Sequence, residues 1–359
     1  MTAYVEQMHR RDVLRGGVAV GVAGLAGCAG LFETESARSR ERATTVEDRE
    51  EEVYHPTHRE GATTVGTGGE GRYEVILLYS VPHGFWTVSG SETNLVEIPD
   101  DASAHLMATI WDADTETVLP TANVSAEISK DGETVDSRDF WPMLSQNMGY
   151  HFGDNIGLDG DGTYTATLDV GAMQARGLGD LAGAFAERTT VEVEFDHERE
   201  SLGGLAYEEF PDEQGEAAAL DPMDADIPVA QVPARDDLPG SVVGTGVSGD
   251  ADFVAFLPDE TPEFVADDRT YLAVSPRTPY NRYPLPFMNL SAILSQSGET
   301  VFEGALDAAV SPDFGYHYGV SVESADSALS LRVDAPPQVS RHEGYETAFL
   351  DMSAMKLTI

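Results

Sequence analysis

An internal repeat constrains this chain more than any other feature. The run from Asn123 to Val135 returns at Asn289 to Val301, sharing Asn-x-Ser-Ala at its start and Gly-Glu-Thr-Val at its end. In the same register Gly149-Tyr150-His151-Phe152-Gly153 matches Gly315-Tyr316-His317-Tyr318-Gly319. Leu106 meets Leu272 and Pro120 meets Pro286, again without a gap. One register held over so many positions means two copies of one structural unit. A chain of 359 residues is long enough to give each copy a sizeable core.

Each copy reads as β-structure. Tyr73 to Val81 is an apolar strand-like run, and His105 to Ile110 is another. Val124 to Ser129 and Thr134 to Arg138 flank Lys130-Asp131-Gly132, whose Asp-Gly predicts a hairpin tip. Tyr164 to Val170 and Val191 to Phe195 alternate apolar with polar residues, the period of a half-buried strand. Helical periodicity is weak, with one short helix expected near Leu178 to Ala186. Short strands divided by Gly, Asp and Pro turns predict an all-β chain of two tandem β-sandwiches.

The N-terminus carries a different signal. Arg10-Arg11-Asp12-Val13-Leu14 reads as a twin-arginine export start. The apolar run Gly16 to Ala26 is shorter than the roughly 20 residues a membrane span needs. It ends in Leu25-Ala26-Gly27-Cys28, which looks like a lipobox, and Cys28 is the only cysteine. One acyl chain binds membranes marginally, so two or more are expected on Cys28. The expected organisation is a signal over 1–28, a disordered lipid-anchored stalk over 29–71 and a first sandwich over 72–198. An acidic linker over 199–239 and a second sandwich over 240–359 follow. Such a protein sits on the extracellular face of the cell membrane.

The formal net charge is −42, and Lys130 and Lys356 are the only lysines. That surface repels nucleic acid and excludes a phosphate-tracking role. Molar salt shortens the Debye length to about 3 Å and removes most of the self-repulsion. The acids are spread over the whole chain, so the charge reads as halophile-like solvation.

Chemistry-bearing residues gather in three places. On the strand at His105, side chains alternate, so Leu106, Ala108 and Ile110 form an apolar face while His105 and Met107 share the other. Trp141 to Gly153 is a loop-like stretch carrying Met143, Met148 and His151. His83, in Pro82-His83-Gly84, is the third candidate. Imidazole with thioether suits copper, and the imidazoles also suit iron(II) or zinc; calcium and magnesium want oxygen.

Phe140-Trp141-Pro142-Met143, then Tyr150-His151-Phe152-Gly153-Asp154-Asn155-Ile156 and the Asp-Gly-rich turn before Thr163-Tyr164, resemble the Tpd-type iron-transport proteins. The resemblance covers about Tyr73 to Phe195. It implies an immunoglobulin-like sandwich that binds copper, iron or zinc through His and Met, beside a high-affinity ferrous-iron permease. The family strand carrying His-Leu-Glu-Ala is similar to His105-Leu106-Met107-Ala108, so the likeness carries over His105, Met143 and His151 as ligands. Two positions depart from the pattern. Met107 replaces the family glutamate, and a later Gly-Arg-His histidine has no partner in the first copy, where Gln174-Ala175-Arg176-Gly177 falls. Either Met107 or Met148 completes the site, or a ligand comes from elsewhere. The second copy has Tyr271 in place of His105 and Ala309 in place of Met143, but keeps His317 and has Ser340-Arg341-His342. Its own site reads as degenerate. Packing of the copies as an intrachain pseudo-dimer would bring His342 or His317 to the first site; a dimer of two chains is the other arrangement.

These readings favour a non-enzymatic, lipid-anchored metal-binding protein of an iron-uptake system. The chain offers no Ser-His-Asp order, P-loop or dinucleotide fingerprint in a structural context. A copper or iron redox protein is the second class, with a blue-copper centre excluded because it needs a cysteine thiolate. An envelope scaffold that binds no metal is the third. Asn123-Val124-Ser125 and Asn289-Leu290-Ser291 are glycosylation sequons that repeat with the fold.

Overall fold

The computed structural model describes residues 46–120, 123–223, 227–325 and 328–357; the twin-arginine motif and Cys28 lie outside them. The regular structure of the described chain is almost entirely strand, with one five-residue α-helix, Arg199–Gly203. The segment Leu178 to Ala186, expected to be helical, forms only the 3-10 turn Gly179–Leu181. Its glycines and short length leave too little to nucleate an α-helix. Among the described residues no helix is long and apolar enough to cross a membrane.

In the first copy the hairpin forms at the Asp-Gly tip. Asp131 and Gly132 both have positive φ, 53° and 82°, the mirror-image turn that matches strand twist. Ser297 and Gly298 repeat it at 54° and 87°. The strand Glu133–Ser145 is long enough to serve both layers. Its first half pairs with Val124–Lys130 and its second half with Gly149–Ile156. The strand Gly149–Ile156 then pairs with Ala104–Asp112, which pairs with Tyr73–Ser80. In the second copy the long strand is broken at Leu306 into Glu299–Ala305 and Asp307–Ser311, one in each layer.

Leu106, Ala108 and Ile110 bury against Val124, Ala126, Leu168 and Val193 of the facing layer. That core continues without a break into Phe253, Leu272, Val274 and Leu290 of the second copy. The copies also trade strands. Ser340–Arg341 runs parallel to Met143 and Leu144 and antiparallel to Trp86. Reciprocally, Arg176–Gly177 runs parallel to Ala309 and Val310.

Two expected boundaries are corrected. Residues up to 71 are not all stalk: His58–Glu60 pairs with Tyr207–Glu209, Thr63–Glu70 pairs along Tyr73–Ser80, and Val53 and Tyr54 are buried. The glycines that suggested disorder are a packing requirement. A Cβ on Gly66 would meet Val193 and the Glu194 carbonyl, and one on Gly68 would meet Val193 and the Glu192 carbonyl. Nor is 199–239 a free linker, since Leu202, Leu220, Ile227 and Val232 are buried.

Candidate metal centre

Strand register assembles the site. Residues directly opposite on antiparallel strands share a face. His105 lies opposite Ser80 on one side and Asn155 on the other; Met107 lies opposite Gly153, and Met143 opposite His151. All of these project away from the core face of Leu106, Ala108 and Phe152. The stretch Trp141 to Gly153 is therefore not a loop but two paired strands, with the turn confined to residues 146–148. Gly153 leaves room for the histidine ring: a Cβ there would stand 3.1 Å from His105 Nε2.

Two further imidazoles close over this face. The turn after Ser80 brings the His83 ring to 4.1 Å from that of His105. His342 arrives from the second copy on the exchanged strand, its N–H donating to Leu144 O at 3.3 Å. Its ring lies 5.2 Å from His83, 6.1 Å from His105 and 5.5 Å from His151. One ligand nitrogen each of His83, His105 and His342 lies within 4.8 Å of the others.

Hydrogen bonds decide which nitrogens are free. His151 Nδ1 is 3.1 Å from Gly149 O and His83 Nδ1 is 3.0 Å from Val81 O. A carbonyl only accepts, so Nδ1 carries the proton and Nε2 keeps its lone pair. His105 Nδ1 faces Asn155 Oδ1 at 3.2 Å, and Asn155 also holds both backbone groups of His83. The Nε2 atoms of His83, His105, His151 and His342 are all buried without a hydrogen-bond partner. Unpartnered imidazole nitrogens gathered at one place are costly when buried, and their lone pairs are what a cation would satisfy. Burial, reinforced by the neighbouring imidazoles, drives His105 and His342 well below the usual histidine range. Burial likewise takes His151 down to about 4. These three rings are therefore neutral and ready to ligate at neutral pH.

The rings border a cavity of about 110 Å³ whose wall includes Met107, Met148, His83, His151 and His342. Met107 and Met148 also pack with Ile76, Leu78 and Ile227. Met143 is fully buried as the cross-strand partner of His151. His317 is not brought to this site. It lies in the second copy with Nε2 3.0 Å from Tyr271 Oη and Nδ1 3.0 Å from Gly315 O.

Sequence reasoning missed His58, Glu60 and Glu343, which line the same cavity. Glu60 Oε2 stands 3.1 Å from His83 Nδ1, and Glu60 Oε1 3.6 Å from His58 Nε2. Glu343 accepts from Thr57 N and Oγ1 and faces His58 Nδ1 at 3.3 Å. Burial opposes the charge on Glu60, but His83 and His58 more than offset it and hold the carboxyl at about 2. Burial also opposes the charge on His58; the carboxylates of Glu343 and Glu60 beside it more than offset that and lift it to about 9. The four-imidazole set with thioether neighbours fits copper, iron(II) or zinc and does not fit calcium or magnesium.

Residues 93–199 match the family model for Fe2+ transport protein, and residues 236–358 match a domain of unknown function (DUF7350). The imidazole cluster draws on both matched stretches and, through His83 and Glu60, on residues outside either. No curated protein matches the chain. Among solved structures the chain is similar to FetP of a uropathogenic Escherichia coli strain, as isolated, with 19% identity, a TM-score of 0.28, and 39% of this chain and 96% of that chain covered. A copper-bound variant of the same protein gives 18% identity and a TM-score of 0.27, covering 39% and 92%.

Proposed function

We propose that this chain is an extracytoplasmic metal-binding component of an iron-uptake system, tethered by lipid on Cys28 and carrying copper or iron(II) to a membrane permease rather than catalysing a reaction. The observation that carries this reading is the convergence of His83, His105 and His342, with His151 beside His342 and the Nε2 atom of each ring buried without a partner. The family match over residues 93–199 supports iron as the metabolic context. Titration of the purified protein with Cu2+, Fe2+ and Zn2+ in molar salt tests it. One tight equivalent is expected, lost in His105→Ala; no binding by the native protein would leave only a scaffold. A Cys28→Ser variant is expected in the soluble fraction, and its retention in membranes would refute the anchor.

A redox role for the same site is the second reading. Met143, buried opposite His151, offers a thioether that favours Cu(I) beside imidazoles that accept Cu(II). A reversible copper potential with turnover of iron(II) to iron(III) would support it. Binding without oxidation leaves carriage as the function.

A further inference from the structure

The imidazole cluster has no negative charge of its own to set against a cation. Imidazole and thioether are uncharged ligands, so a divalent ion there keeps two positive charges in a poorly solvated place. The cavity wall holds two carboxylates, Glu60 and Glu343. Glu343 is engaged by Thr57 N, Thr57 Oγ1 and His58. Glu60 differs. Its side chain is 11% exposed, and both of its oxygens are sealed from solvent with no hydrogen-bond donor. It nevertheless stands 3.1 Å from the Nδ1 edge of His83, on the opposite side of that ring from the free Nε2.

Resting on the metal-binding reading above, we infer that Glu60 is a positioning and specificity-determining residue: it orients His83 toward the ion and gives the site its preference for divalent over monovalent ions. Val81 O takes the Nδ1 proton of His83, and a carboxylate on the same edge reinforces that tautomer and raises the basicity of the other nitrogen. Its charge acts on the ion as well, and that attraction scales with the charge of the ion. His58 stands between Glu60 and Glu343 and offsets part of their joint charge, leaving one net carboxylate toward the cavity. The second copy supplies an internal control. Thr64 pairs with Leu78 as Val242 pairs with Phe256, and the same ungapped offset, carried to the residues just before each strand, sets Leu238 against Glu60. Leu238 is buried in an apolar cluster with Tyr271 and Ala309, the residues that replace His105 and Met143. The carboxylate is absent where those imidazole and thioether ligands are absent.

Glu60→Gln keeps the shape of the side chain and removes its charge. Competition titrations of the purified protein with Zn2+ and Ag+, both redox-inert, separate orientation from charge. Zn2+ affinity is expected to fall about 100-fold and Ag+ affinity about tenfold, because the lost attraction is twice as large for the divalent ion. Glu60→Asp, which retains the charge, is expected to restore the native Zn2+ to Ag+ ratio to within about threefold while weakening both ions through a looser His83. Equal loss of both ions in Glu60→Gln, no loss of either, or failure of Glu60→Asp to restore the ratio would overturn the inference and leave metal binding intact. If the native protein binds neither ion, the metal-binding reading fails and takes this inference with it.

Discussion

The two copies hold opposite interiors on one backbone plan. In the first, His105, Met107 and Met143 share one sheet face, which the exchanged strand caps with His342. At equivalent positions the second has Tyr271, Ala273, Ala309 and Leu178, all buried in one apolar cluster. The equivalence of Leu178 and His342 follows from the exchanged strands: Leu178 N donates to Val310 O as His342 N donates to Leu144 O. One histidine is common, His151 in the first copy and His317 in the second. In the first its Nε2 is free; in the second Tyr271 Oη satisfies it at 3.0 Å. The fold therefore tolerates a closed, self-satisfied version of this pocket. The open version leaves four buried Nε2 atoms unpartnered, a cost with no structural return unless a ligand is bound.

The comparison breaks most decisively at His342. His342→Ala is expected to weaken metal binding at least about 100-fold, since it removes one of three converging nitrogens. His317→Ala is expected to leave stoichiometry and affinity unchanged while destabilising the fold by about 1–3 kcal/mol through the orphaned Tyr271 hydroxyl. Metal titration and chemical denaturation of both variants check this. Equal loss of metal in the two would mean that the copies do not differ as described.

Much of the pattern was legible in the chain. The repeat register placed Tyr271 and Ala309 against His105 and Met143, and strand alternation put His105 and Met107 on one face. Met143 and His151 stand out in the sequence as parts of a loop-like stretch; their direct pairing across two strands depends on the register that the turn at residues 146–148 sets. His342 was visible only as a motif missing from the first copy and present in the second. Glu60 and His58 escape sequence reasoning because polar, glycine-rich sequence has the composition of a stalk. A signal is present: Val65-Gly66-Thr67-Gly68 recurs as Val243-Gly244-Thr245-Gly246, within the stretch assigned to the second sandwich. Composition could not reveal that those glycines are small because Val193 packs on them.

The paired glycines sharpen the comparison at a smaller scale. Gly153 faces His105 Nε2, while Gly319 faces the Tyr271 hydroxyl so closely that a Cβ would overlap it. Gly319→Ala must displace a buried aromatic ring and is expected to cost about 1–3 kcal/mol of stability with metal affinity unchanged. Gly153→Ala places its Cβ 3.1 Å from His105 Nε2 and is expected to lower metal affinity about tenfold with a smaller change in stability. Denaturant midpoints and metal competition on the same preparations separate the two outcomes. Similar profiles for both variants would show that these glycines serve only to let strands approach.

Acid sensitivity is the smallest and most specific difference to measure. Burial depresses His317 to about 4, only partly countered by its bond to Gly315 O, against about 6.5 in an unfolded chain. The sign follows from proton counting. Between those values the unfolded chain binds a proton that the native chain does not, so stability falls as pH drops. This contribution is intact well above pH 6.5 and is lost progressively toward pH 4. It amounts to about 1 kcal/mol between pH 6.5 and 5.5. In chelator-treated protein His317→Gln is therefore expected to flatten the fall in unfolding free energy over that interval by about 1 kcal/mol. Bound metal cannot substitute for the change, because His317 has Tyr271 rather than a cation as its partner. If metal abolished the His317-dependent slope, the second copy would be a ligand-binding site and the contrast between the two interiors would be lost.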